Sequence, residues 1–184
     1  MGEQYESKLK IVPLDASNQM LAFNFRCGNA VIDSFLKGPQ ALDPGIGKTF
    51  LWLNDKNDRI LGFYNIGTGC INYFDGDFMY KMGGSVHIND FALDEAYHHK
   101  PLDEGGMVNM SDALLNDCIQ RVAYIREHYV GFAFITLQAT EQGYPLCRRH
   151  DFYELEEGMD ILKIQSKETM CIPMYFPMDL EENL

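Results

Sequence analysis

Between Tyr97 and Ser111 the chain gathers groups that hold anions. His98, His99 and Lys100 offer cationic donors, and Gly105 and Gly106 offer backbone N–H groups with no side chain in the way. An amphipathic segment follows from Ser111, and the unpaired N–H groups at a helix start favour negative charge. The pattern names a type of site, capture of an anionic ligand, and leaves the ligand open. The same run contains Asp103 and Glu104, but adjacent histidines point apart on extended chain and no third partner has ligand spacing, so no metal is expected.

Other chemistry-bearing stretches are weaker. Gly45-Ile46-Gly47-Lys48-Thr49 ends like a phosphate-binding P-loop, yet Leu42 stands at the required first glycine and the run precedes a strand instead of following one. We read it as a loop. Arg148-Arg149-His150 reads either as an anion contact or as a solvent-facing helix turn. Tyr73, Phe74, Phe78 and Tyr80 suit an acceptor pocket, core packing or a dimer contact.

The elements that position these groups are legible from hydrophobic spacing. Val86, Ile88, Phe91 and Leu93 alternate as in a half-buried strand. Leu114, Cys118, Val122, Ile125 and Tyr129 keep one helical face apolar, and Phe132, Phe134, Ile135 and Leu137 resume a strand. Ser85 to Gln138 is therefore a strand–loop–helix–strand unit. Before it, Leu9–Leu14 predicts a strand that Pro13 confines to an edge. Phe25–Lys37 predicts a loop turning into a short helix capped by Asn29, with Val31, Ile32, Phe35 and Leu36 inward. Gly38–Lys48 reads as loop, and Phe50–Leu53 and Ile60–Ile71 as a hairpin about Asn54–Asp58. Ile71–Met82 lines a cleft or turns a corner. Glu141–His150 predicts a short helix, Phe152–Leu155 and Thr169–Phe176 two strands, and Asp179–Leu184 a fraying acidic tail.

Composition sets the background. The 184 residues are 46% hydrophobic, which suits one domain with a sizeable core. A net charge of −12 disfavours nucleic acid and anionic membranes as partners. Five cysteines in no CxxC pair fit a reducing compartment. With no signal-peptide pattern and no long apolar run, a cytoplasmic location and no membrane partner are expected.

Four segments together resemble the Gcn5-related N-acetyltransferase superfamily: Cys27-Gly28 with Asp33-Ser34-Phe35-Leu36-Lys37, Lys48-Thr49-Phe50, Ile60–Tyr64, and Phe91–Tyr97. The likeness runs from Leu9 to Leu155 and is nearest a bacterial branch that includes acetyltransferase toxins acting on charged tRNA. It implies an α/β (mixed α+β) fold: a single domain over residues 1–178, with a twisted mixed sheet of about six to seven strands flanked by helices. It also implies acetyl-CoA lying along Phe91, Ala92 and Leu93 in a split between the two central strands, its pyrophosphate over the loop before the long helix. The family loop reads Gln or Arg, two residues, Gly, one residue, Gly or Ala. Here the matching residues are His98 to Asp103, and Pro101 replaces an N–H donor. Asp103 sets a carboxylate against the phosphates, a repulsion of about 4 kcal/mol at 4 Å for a surface-like dielectric. A cradle rebuilt from His98, His99, Lys100, Gly105 and Gly106 would answer both departures.

For the chemistry, the resemblance implies an acid that protonates departing thiolate, often a tyrosine five residues before the Phe of a Gly-Phe pair. The pair here is Asp151-Phe152, which puts Cys147 at that position and Tyr144 one turn earlier as the substitute. Asp90 and His87, on the central strand, are the candidate bases; as a plain alternative, His87 is a satisfied core histidine. Three functions follow. The first is N-acetylation of a primary amine on a small molecule or protein. The second is a binding or regulatory module that has lost CoA. The third is acetylation of aminoacyl-tRNA, against which the charge argues. Pairing into a homodimer is open, and the resemblance implies C-terminal strands for it.

Overall fold

The computed structural model describes residues 7–103, 105–161 and 171–178. Eight strands form one mixed sheet: β1 (Ile11–Pro13), β2 (Lys48–Leu53), β3 (Ile60–Asp75), β4 (Phe78–Leu93), β5 (Phe134–Ala139), β6 (Tyr153–Glu154), β7 (Met159–Ile161) and β8 (Ile172–Pro177). Their order is β1-β2-β3-β4-β5-β8-β6, with β7 paired to β3. Helices α1 (Ala30–Lys37), α2 (Met110–His128) and α3 (Tyr144–Arg149) flank it. The expected six to seven strands become eight: Tyr153–Glu154 falls within the predicted Phe152–Leu155, and Met159–Ile161, which carried no strand signal, adds the eighth by pairing with β3.

The chain divides into two compact units, one of residues up to Gly67 with Asn89–Arg121, the other of Thr68–Ile88 with Val122 onward. In the first, β1 pairs antiparallel with β2, and β2 with β3. Pro13 lies on the edge strand, where its missing N–H breaks no ladder. The Asn29 side chain accepts from Val31 and Ile32 amides and starts α1. Leu36 is buried, but Val31 is 57% exposed, so the inward face of α1 is narrower than its apolar run suggested. The core packs Leu14, Phe25, Leu36, Leu51 and Phe63, with Phe25 edge-on to Phe63 at 5.4 Å. Pro39–Leu42 forms a 3-10 turn within the segment read as loop. Gly62 is obligatory: a Cβ there would lie 2.9 Å or less from the Leu93 and Leu114 side chains and the Ala92 carbonyl.

In the second unit, Ser85–Ile88 of β4 runs parallel to Phe134–Leu137 of β5, and β5 pairs antiparallel with β8 along its whole length. Ile71, Ile135, Phe152, Ile161 and Met174 are fully enclosed. Here β3 and β4 extend much further than their patterns indicated: β4 begins at Phe78, not Ser85. The aromatic stretch Ile71–Met82 therefore turns a corner, as the tip of a hairpin bent at Gly76, whose φ is +58°. The expected tail 179–184 and the start of the last predicted strand, 169–170, lie outside the described residues.

Candidate active site

The end of β4 is held by a buried carboxylate. Asp94 accepts from the Ala96 amide at 3.1 Å and from the Arg59 guanidinium at 3.0 Å. Along that strand Ala92 and Leu93 are buried, and Asp90 and Phe91 half-buried. His98 lies 3.1 Å through Nε2 from the Leu93 carbonyl, so its imidazole braces the strand end. His99, exposed, takes a left-handed φ of +57°. The Lys100 ammonium, also exposed, sits 5.2 Å over the Tyr97 ring.

Beyond Lys100 the loop pairs with itself. The Leu102 amide donates to Val108 O at 2.8 Å and the Met110 amide to Lys100 O at 3.0 Å. These two bonds flank the Pro101–Asn109 bridge, which makes Pro101 a non-hydrogen-bonded position where no N–H is needed. Proline is accommodated for that reason, and the family glycine has no counterpart here. At the exposed tip Gly106 adopts φ +67°. Its N–H donates to the Asp103 carbonyl at 3.2 Å and to Asp103 Oδ1 at 3.1 Å. A glycine amide is thus presented to an oxyanion, and the oxyanion is the chain's own carboxylate.

The second unit places the remaining candidates. His87 is the register partner of Thr136 across the β4–β5 ladder. Its Nδ1 lies 2.9 Å from Thr136 Oγ1, which in turn lies 3.1 Å from Ser85 Oγ. Burial pushes the His87 pKa down to about 4, so the ring is neutral at physiological pH. Tyr144 opens α3, and its O–H donates to Glu154 Oε1 at 2.5 Å. That bond to a carboxylate holds the phenol's pKa above its ordinary value. Cys147 is buried, its thiol pushed up to about 11 by burial, and its carbonyl accepts the His150 and Phe152 amides. Arg148 and Arg149 donate locally, to Phe152 O and Pro145 O. Among the described residues no three His, Cys, Asp or Glu side chains gather as a metal site.

Sequence reasoning missed two buried polar networks in the first unit. In one, Asn89 Nδ2 donates to Ile46 O at 3.1 Å and Asn65 Oδ1 at 2.7 Å. Asn65 Nδ2 then donates to Thr49 Oγ1 at 2.9 Å, and Thr49 to Ala41 O at 2.7 Å. This chain across β2, β3 and β4 holds Ile46 and Thr49 of the Gly45–Thr49 run that the P-loop likeness had singled out. In the other, Tyr64 donates to Asp117 Oδ2 at 2.6 Å and accepts from Arg121 Nε at 2.6 Å, while Ser7 bonds the second Asp117 oxygen. The available signals were polar residues at inward strand positions and the i, i+4 spacing of Asp117 and Arg121 on α2, neither of which reveals strand partners so distant in sequence.

A strand–loop–helix–strand unit on a mixed sheet, with a parallel β4–β5 ladder that stops at Ile88–Leu137, is the fold of the Gcn5-related N-acetyltransferases. No protein-family model and no curated protein sequence matches the chain. Solved structures do. A structure described as a bacterial toxin is 14% identical, covers 92% of this chain and 91% of its own, and superposes with a TM-score of 0.65. AtaTR bound with AcCoA is 18% identical over 92% and 93% of the two chains, TM-score 0.66. The KacTA–DNA complex is 18% identical over 92% and 93%, TM-score 0.62. At these identities the likeness is one of fold. Among the described residues no helix is long and apolar enough to cross a membrane.

Proposed function

We propose that the chain, acting as one domain over residues 1–178, transfers an acetyl group from acetyl-CoA to a primary amine. The observation that carries this reading is the Gly106 N–H held against a carboxylate oxygen in the loop before α2. A phosphate oxygen is the same kind of acceptor, so the donor fits the diphosphate once Asp103 turns aside. Lys100, His99 and Gly105 would complete the anion site, with Phe91, Ala92 and Leu93 supplying the strand along which the cosubstrate lies. A neighbour of the same fold that carries acetyl-CoA by its own description supports the choice of ligand.

When bound, acetyl-CoA supplies an activated thioester; the chain's residues hold the amine and move protons. Asp90 takes the proton the attacking amine gives up. Tyr144 gives its phenolic proton to the departing sulfur and regains one from solvent, and Glu154 orients that hydroxyl. His87, neutral and tied to Thr136, acts as a hydrogen-bonding group and not as the base. Cys147 packs the core.

The acceptor class divides two readings. A small-molecule or protein amine suits the net charge of −12. The α-amine of aminoacyl-tRNA is favoured instead by the description of one neighbour as a bacterial toxin and of another as a complex with DNA. Incubation with radiolabelled acetyl-CoA, polyamines, a lysine-rich peptide and charged tRNA separates them. Label on any acceptor supports transfer and names the class. Tight binding of acetyl-CoA with no label on any acceptor and no release of free thiol contradicts it.

A further inference from the structure

The buried chain from Asn89 through Asn65 to Thr49 has no part in the acetyl-transfer reading as it stands. Asn89 is the first residue of β4 beyond the ladder to β5, which ends at Ile88–Leu137. Its side-chain amide donates twice, to Ile46 O at 3.1 Å and to Asn65 Oδ1 at 2.7 Å. Asn65 and Thr49 are register partners on β3 and β2, both buried, and the Thr49 hydroxyl closes the chain on Ala41 O. Two glycines let the backbone close on these amides. A Cβ at Gly47 would lie 2.5 Å from Asn65 Oδ1, and one at Gly67 would lie 2.9 Å from Asn89 Nδ2. The Gly45–Thr49 run that resembled a phosphate loop thus supplies a steric gap at Gly47, a carbonyl at Ile46 and a hydroxyl at Thr49. All three serve to anchor one β4 side chain.

We propose that Asn89 is a positioning residue, a role that presupposes the acetyl-transfer reading: its anchored side chain fixes the course of β4 so that the Phe91 amide is presented to the thioester carbonyl. Two observations carry this. The first is direction. The Asp94 amide donates to Leu61 O, and Ala92 O would lie 2.9 Å from a Cβ at Gly62, both partners being on β3. Backbone groups of a strand alternate between its two edges, so the Phe91 and Leu93 amides face the opposite edge. Along that edge, among the described residues, the β5 ladder has already ended, and the Leu93 carbonyl lies 3.1 Å from His98 Nε2. The second is placement. A buried polar network is costly when incomplete and, when every member is satisfied, imposes one geometry. This network grips β4 two residues before Phe91, where the strand leaves its ladder with β5. An N–H held in place beforehand is what stabilises charge developing on a carbonyl oxygen.

Calorimetric titration with acetyl-CoA and with S-ethyl-CoA, which keeps the chain length and lacks the carbonyl, tests this role. One hydrogen bond of ordinary net strength gives wild type an expected preference of about three- to tenfold for acetyl-CoA. In Asn89→Ala the preference is expected to fall below about twofold, with S-ethyl-CoA bound within about threefold of wild type. Gly67→Ala leaves Asn89 in place and crowds its amide off Ile46 O, and it should lower the preference in the same direction. Circular dichroism checks that both variants fold. Equal binding of the two ligands by wild type overturns the proposal. So does a folded Asn89→Ala that keeps the preference, or one whose two affinities fall by the same factor, as a merely structural loss would make them. A wild type that binds neither ligand overturns the acetyl-transfer reading itself, and the role of Asn89 with it.

Discussion

Tyr144 and Cys147 sit three residues apart on one short helix and differ in what their environments allow. Tyr144 holds its proton toward a carboxylate in reach of solvent, whereas Cys147 is enclosed with its thiol pushed up to about 11. The resemblance points to the cysteine, and the proposed mechanism uses the tyrosine. Replacing Tyr144 by Phe is expected to lower kcat by roughly 10²–10⁴-fold with KM nearly unchanged, the usual worth of a general acid. Cys147→Ala should leave kcat within a few-fold; the reverse order would reassign the acid. His87 carries a pH prediction. Its folded pKa of about 4 lies below the ordinary 6.5, so between those values the unfolded chain binds more protons. Stability therefore falls as pH drops from 6.5 toward 4, by up to about 3 kcal/mol. Thermal melts of wild type and His87→Gln across that window check it: the variant should lose this part of the slope.

At the scale of elements, Asp151 joins the sequence pattern to the backbone. It occupies the glycine position of the family's Gly-Phe pair, and it takes φ +59°, the left-handed region that glycine enters without strain. Aspartate tolerates that conformation at a modest cost. Because the side chain is exposed, Asp151→Gly should stabilise the fold by up to about 1 kcal/mol, read as a rise in chemical denaturation midpoint. Elements whose cause is local were legible. Asn29 capped α1 as its type and position required, and Pro13 fell on an edge strand. The hairpin tip was partly legible: Ile71–Met82 was expected to line a cleft or turn a corner, but Tyr73-Phe74 and Phe78-Met79-Tyr80 are apolar on both strand faces and Gly83-Gly84 interrupts the run, which hid how far the strands extend. Not legible were the Asn89–Asn65–Thr49 network, which cross-strand register assembles, and the Tyr64–Asp117–Arg121 network, which the packing of α2 on β3 assembles, although Asp117 and Arg121 stand four apart on one helix. In the candidate site, the loop's own pairing explains why the fold tolerates Pro101, which still offers no N–H to an anion.

For the whole molecule, the fold resembles that of the Gcn5-related N-acetyltransferases while the loop before α2 pairs with itself, and one question joins the two. Asp103 occupies the Gly106 amide that a diphosphate would take. If the loop is a working site held by an internal competitor, ligand and aspartate exchange at a cost softened by solvent, on the order of 1 kcal/mol. The direct measurement is calorimetric titration of the chain with acetyl-CoA, alongside Asp103→Asn. The account predicts saturable one-site binding by wild type and roughly fivefold tighter binding by the variant. At 100 times the Kd the bound fold should also gain about 2.7 kcal/mol of stability. Absence of heat and of any thermal shift in both proteins at millimolar acetyl-CoA would contradict it and leave a binding or regulatory module on an acetyltransferase fold.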